Sequence, residues 1–219
     1  MTPKPDPSLA GLLSADAVVD MQDRLTELWH EKEIELEPEG DSEDAVVDSI
    51  FMDSVRDQHL ANFELWHIED QARAPRAPDR EIAELKRAID RTNQRRNDLM
   101  ERCDSVLLAA LEEAGLPSPD AELHSESPGL MLDRLSILAM KIFHTREEIR
   151  RPNAPEGHAE RNQERLALLA TQRADLAGCL DQLWRQVIAG ERRFKLYRQL
   201  KMYNDASLNP AVYLDHGKK

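Results

Sequence analysis

Apolar residues recur along this chain three and four positions apart, the period of amphipathic helices, and rarely alternate as half-buried strands do. Val18, Met21, Leu25 and Leu28 set that spacing behind Ser14, which can cap a helix over 14–30. The acidic stretch 31–43 reads as a solvated loop. The helical period returns over 45–73 and ends at Pro75 and Pro78, which lack backbone donors and clash with the preceding turn. Asp79 can cap a third helix reaching about 114, where Gly115 and Pro117 stop it. After a polar connection over 116–127, Pro128 suits an early helical position. The run 130–149 is apolar on most sides and is expected to be the most buried helix. Leu166, Leu169, Leu176, Leu180, Leu183, Val187, Phe194 and Tyr197 keep the helical spacing and predict one very long last helix over 158–204, with Gly190 marking a bend or a close approach. The expected fold class is all-α, an antiparallel bundle of about five long helices. Residues 1–13 read as a flexible arm, 14–205 as the bundle domain and 206–219 as a C-terminal tail.

Composition narrows the function classes. The net charge is −13, which disfavours polyanion binding, since phosphate backbones are held by an excess of Lys and Arg. Nucleic acid is therefore not an expected partner. No run approaches the roughly 18 apolar residues of a membrane span, and the first twenty residues contain no continuous apolar segment of the secretory type. Cys103 and Cys179, the only two cysteines, fall in predicted helices without metal-binding spacing and read as inert thiols of a reducing compartment. The expected localisation is cytoplasmic.

Candidate chemistry lies where the helical stripes turn polar. At about 100° per residue, the stripe of the third helix that holds Ile82, Ile89, Met100 and Leu107 also holds Asn93, Arg96, Asn97 and Asp104. Buried amides and charges are costly unless paired, so these residues either satisfy one another internally or meet a ligand. In the second helix Met52, Phe63 and Trp66 share a face with His59, His67 and Asp70, and a His and a carboxylate at i and i+3 can bond each other. Arg134 and Lys141 border the core in the fourth helix, and Arg173 and Lys201 in the last. Such a set of cations, amides, acids and a His is suited to holding an anionic metabolite and moving protons.

Two ExxH sequences, Glu27 to His30 and Glu64 to His67, have the spacing used by dimetal helical bundles, with Glu101 and Glu147 as possible third and fourth carboxylates. Such sequences arise by chance in Glu-rich helices. The sequence therefore assigns no metal ligand, and the cofactor stays undetermined.

Four separate motifs resemble one family. They are LeuTrpHisIleGluAsp (65–70) with Arg73 and Pro75, LysArgAlaIleAspArgThrAsnGlnArgArgAsnAspLeuMetGlu (86–101), SerGluSerProGly (125–129) with AspArgLeuSerIleLeu (133–138) and Lys141 to His144, and TyrArgGlnLeuLysMetTyrAsnAsp (197–205) with LeuAsnPro (208–210). Over about 45–213 the chain resembles the bacterial domain-of-unknown-function family 4254. Members often lie near glycosyltransferase genes of envelope polysaccharide synthesis, so the resemblance implies a link to sugar phosphates or nucleotide sugars. It also adds Arg73, Asp133, His144 and Tyr197 to the candidate site.

The expected function is that of an enzyme or binding protein with an anionic small molecule in a polar interhelical pocket. Arg96, Arg134, Lys141 and Lys201 would pair its charge, Asn93 and Asn97 would orient it, and Arg73, Asp133, His144 and Tyr197 would complete the site. His67, Asp70 and Glu101 are the acid-base candidates. The alternatives are a non-catalytic interaction protein partnering a glycosyltransferase, with the polar core setting helix register, and a dimetal carboxylate bundle. Whether the chain is an enzyme is left open by its sequence.

Overall fold

The computed structural model describes residues 7–31, 46–200 and 207–210. It contains a short helix α1 (Pro7–Leu12) and five long ones, α2 (Ala15–Glu31), α3 (Val46–Ala72), α4 (Asp79–Glu113), α5 (Pro128–Arg150) and α6 (His158–Ile188). Two two-residue strands, β1 (Glu122–Leu123) and β2 (Arg192–Arg193), pair in parallel. The fold is an all-α bundle. Helices α3 and α4, joined by a short Pro-containing turn, pack along each other, as do α5 and α6. Helix α5 touches α2, α3, α4 and α6, which accounts for its burial on most sides. No helix among the described residues is long and apolar enough to cross a membrane.

Two expectations change. Within the stretch expected to be a flexible arm, Pro7–Leu12 form α1, because Leu9, Leu12 and Leu13 recur at helical spacing and all three are buried in the main core, while 1–6 lie outside the described residues. Trp184 fastens that helix by donating from Nε1 to the Leu9 carbonyl at 2.9 Å. The last helix stops at Ile188 instead of running to 204. Gly190, at φ +74°, supplies the left-handed residue of a Schellman cap. There the Glu191 amide reaches the Gln186 carbonyl at 2.8 Å and the Gly190 amide the Val187 carbonyl at 3.0 Å. Beyond it the chain extends into β2. Phe194 still reaches the core from this extended segment, which is why it continued the apolar spacing of the helix before it. Gly115, at φ +69°, ends α4 with the same pair of bonds.

The start of α5 is fixed by three residues. Ser127 caps it, its hydroxyl accepting from the Leu130 amide at 3.4 Å, and Pro128 occupies the first turn. The Gly129 amide donates to Asp104 Oδ1 at 2.7 Å. A side chain at 129 would collide with the Met100 carbonyl and press on the Asp104 carboxyl, so a glycine allows α5 to abut α4 here.

Candidate functional site

The polar residues of α2 to α5 form one buried chain of bonds. Asp133 of α5 is its hub: Oδ1 accepts from Gln58 Nε2 at 2.5 Å, Asn62 Nδ2 at 3.0 Å and Arg96 Nε at 2.7 Å, and Oδ2 accepts from Arg96 Nη2. Asn62 also donates to Ser136 Oγ at 2.9 Å. Ser136 Oγ lies 2.7 Å from His59 Nδ1, and His59 Nε2 lies 3.0 Å from the Gln22 carbonyl. A carbonyl only accepts, so Nε2 carries the hydrogen and Nδ1 accepts from Ser136. Burial lowers the His59 pKa to about 4, which keeps this ring neutral. His59, Gln58, Asn62 and Ser136 therefore serve the interior.

Beside this chain, α3, α4 and α5 enclose a cavity of about 360 Å³ lined by Asn62, Trp66, Asp70, Arg73, Arg96 and Ile137, among others. Arg96 reaches it with its guanidinium already oriented by Asp133. Arg73 pairs with Glu69 at 2.6 Å, and both line the same space. A second cavity, about 690 Å³, lies between α5, α6 and the segment around β1, with Arg134, Lys141, His124 and Asp175 in its wall. Arg134 there is held bidentately by Glu126 at 2.8 and 2.9 Å.

The sequence-predicted residues thus divide. Asp70, Arg73 and Arg96 meet at the first cavity with Asp133 behind them, whereas Arg134 and Lys141 line the other. Asn97 is buried on α4, its Nδ2 without a hydrogen-bond partner among the described residues, and Asn93 is half-buried one turn earlier. Glu101 accepts from the Gln199 amide at 2.8 Å, holding the C-terminal segment against α4. Tyr197 is exposed in that segment. Lys201 lies outside the described residues. Asp104 is buried as part of the α5 cap, and burial pushes its carboxyl up to about 6 against the bonds from Ser127 and Gly129.

His67 and His144 come together with His30. One ring nitrogen from each of the three lies within 4.8 Å of the others. The rings are wedged by aromatics: His30 stacks on Phe143 with centroids 4.0 Å apart, and Trp66 stacks on His144 at 4.9 Å. Burial holds the His67 imidazole below its ordinary value; the other two rings push the same way, while Asp70 and Glu147 act against them. Among the described residues this trio is the group with metal-binding geometry. The carboxylates of the dimetal pattern do not join it as a set. Glu27 is exposed, Glu64 pairs with Arg95 at 2.7 Å, and Glu101 is engaged elsewhere. Only Glu147 is close, bonded to His144 Nδ1 at 2.7 Å.

Sequence reasoning passed over Asn62, Gln58 and Ser136, whose polar side chains on apolar faces were the available signal. It weighed His30 only as half of an ExxH pair. Nothing local in the sequence announces that His30 and His144 meet.

The chain matches no curated protein and no solved structure. A family model described as a protein of unknown function, DUF4254, matches residues 52–196. That stretch carries the α3–α4–α5 cavity, the Arg96–Asp133 pair, His67 and His144, and leaves out His30. With most of its length matched, the chain belongs to the DUF4254 family.

Proposed function

We propose that this protein binds a small anionic molecule, of the sugar-phosphate class, in the cavity between α3, α4 and α5. The observation that carries the reading is the anchoring of Arg96. Two of its nitrogens are committed to a buried carboxylate that Gln58 and Asn62 hold in turn, so the guanidinium beside the cavity is oriented before any ligand arrives. With Nε and one side of Nη2 taken by Asp133, the other edge of the guanidinium, Nη1 with the second Nη2 hydrogen, would be the fork that meets a carboxylate or phosphate. Arg73 would add a second cation by leaving Glu69, Trp66 would offer an aromatic face, and Asp70 would supply proton transfer.

Size favours a small ligand. At about 360 Å³ the cavity falls near the lower end of the roughly 300–1,000 Å³ range of ligand pockets. A monosaccharide phosphate is a better match than a nucleotide sugar. The sugar itself rests on the family's association with polysaccharide genes.

The test is thermal-shift and calorimetric titration of the full chain with inorganic phosphate and a panel of hexose phosphates. Arg96→Lys keeps a charge on Asp133 but loses the fork, and Arg73→Gln removes the second cation. Saturable binding by the native protein, weakened at least about tenfold in each variant with the helical circular-dichroism signal retained, is the expected outcome. Failure of every phosphorylated sugar to bind, or binding by both variants as tight as that of the native protein, removes the reading.

A further inference from the structure

We propose that His30, His67 and His144 form a mononuclear site for a divalent transition-metal ion of the zinc class, with one coordination position left for a ligand from solution. The inference rests on these three rings and their partners and not on the anion reading, although Trp66 and Asp70 border both sites.

The tautomers carry the argument. His30 Nδ1 lies 2.6 Å from the Thr26 carbonyl, which can only accept, so its hydrogen is on Nδ1. His144 Nδ1 lies 2.7 Å from the Glu147 carboxylate and donates to it in the same way. In each neutral ring the lone pair is thereby placed on Nε2. Both Nε2 atoms are buried and have no hydrogen-bond partner among the described residues. A buried, unpartnered nitrogen costs on the order of 1–3 kcal/mol, and two in one cluster need a common reason.

An imidazole whose far nitrogen is tied to a carbonyl or carboxylate is the usual arrangement of a metal-bound histidine, because that bond fixes the tautomer and aims the lone pair. Here two rings are prepared in this way and clamped by stacking on Phe143 and Trp66. The third, His67, brings one ring nitrogen within 4.8 Å of the other two, and Asp70 and Glu147 place negative charge near it. Two bonds of 2.0–2.1 Å at a tetrahedral angle put ligand nitrogens roughly 3.3 Å apart. One nitrogen from each ring lies within 4.8 Å of the others now, and small side-chain rotations would bring them to the tetrahedral separation.

The donor set selects the ion. Three neutral imidazoles suit zinc, cobalt, nickel, copper or ferrous iron, and not magnesium or calcium, which take oxygen ligands. With three protein ligands one tetrahedral position stays open. Trp66, which covers the His144 ring, also lines the anion cavity, so the two sites share a wall.

The experiment is titration of the untagged full chain, first stripped with a chelator, with Co²⁺ followed by its visible absorption, and then displacement by Zn²⁺. The expected result is one ion per chain with the intense bands of four-coordinate cobalt. His30→Gln, His67→Gln and His144→Gln should each weaken binding more than about 100-fold, and Glu147→Gln about tenfold or more, since partners outside the ligand set are worth 10–100-fold. His158→Gln, whose ring pairs instead with Glu148, should leave affinity unchanged. Glu147 is exposed, so its variant remains informative if a histidine variant fails to fold. Absence of a stoichiometric ion, two ions per chain, only the weak bands of octahedral cobalt, or full affinity in the four variants overturns the proposal.

Discussion

Asp104 and His59 are both buried ionisable groups, and their contributions to stability run in opposite directions across the same pH range. His59 titrates near 4 in the folded chain against 6.5 when exposed, so the unfolded state binds the proton more tightly. The stability it contributes is complete above 6.5 and is lost as pH falls toward 4, on the order of 3 kcal/mol in all. Asp104 titrates near 6 against 3.8, so the folded state holds its proton more tightly. Its contribution is greatest below 3.8 and declines as pH rises to 6, by a similar amount. Between about 4 and 6 the two oppose each other. Replacing Asp104 with Asn keeps an acceptor for the Gly129 amide but removes the charge. Urea unfolding at pH 4 and pH 7 should find the difference between variant and native protein moving in the variant's favour by up to about 3 kcal/mol at the higher pH. The same difference at both values would mean that folding does not raise the Asp104 pKa. The polar stripe of α4 was legible as residues with a task. That one of them caps α5 instead of meeting a ligand depends on Gly129, which lies 25 positions along the chain and enters no helical projection of α4.

Helix boundaries were readable where a proline or glycine ends a period, as at Pro75, Gly115 and Pro128. They failed at Gly190 because the apolar spacing continues past it through Phe194, which returns to the same core from an extended segment. A helical projection cannot distinguish these, since it registers only that an apolar residue falls on the seam. The two glycines at element ends should nevertheless respond very differently to alanine. At Gly190 an added methyl meets only Leu116 Cδ2, at 3.9 Å, so Gly190→Ala costs mainly the left-handed conformation, roughly 1–2 kcal/mol. At Gly129 the methyl meets the Met100 backbone, which cannot rotate aside, and α5 has to retreat from α4 with loss of the Asp104 bond. Gly129→Ala should cost clearly more than Gly190→Ala in chemical denaturation, about 3 kcal/mol or above. The reverse order would show that the α4–α5 contact is loose.

For the molecule as a whole, periodicity identified an all-α bundle and the faces of its helices, but not which faces meet. Arg96, Arg134 and Lys141 looked alike as cations at the edge of the core, yet Asp133 draws Arg96 toward α3 while the other two turn to a separate cavity beside α6. The pair Arg96–Asp133 joins α4 to α5, and through Gln58 and Asn62 to α3, so its worth can be measured as a tie between elements. The two partners are not equivalent. Arg96 keeps about a fifth of its side-chain surface in contact with solvent, whereas Asp133 keeps 7%. Removing the guanidinium with Arg96→Met leaves a carboxylate buried with only two amides to hold it, a loss of about 3–5 kcal/mol. Asp133→Asn leaves a cation that can turn toward water and should cost less. Combining the two removes the stranded charge, so the double variant should be more stable than Arg96→Met alone, with a coupling of up to about 3 kcal/mol in a denaturant cycle. Additive losses would mean that Arg96 and Asp133 are each held by their other neighbours, and the orientation of Arg96 toward the cavity would then owe nothing to Asp133.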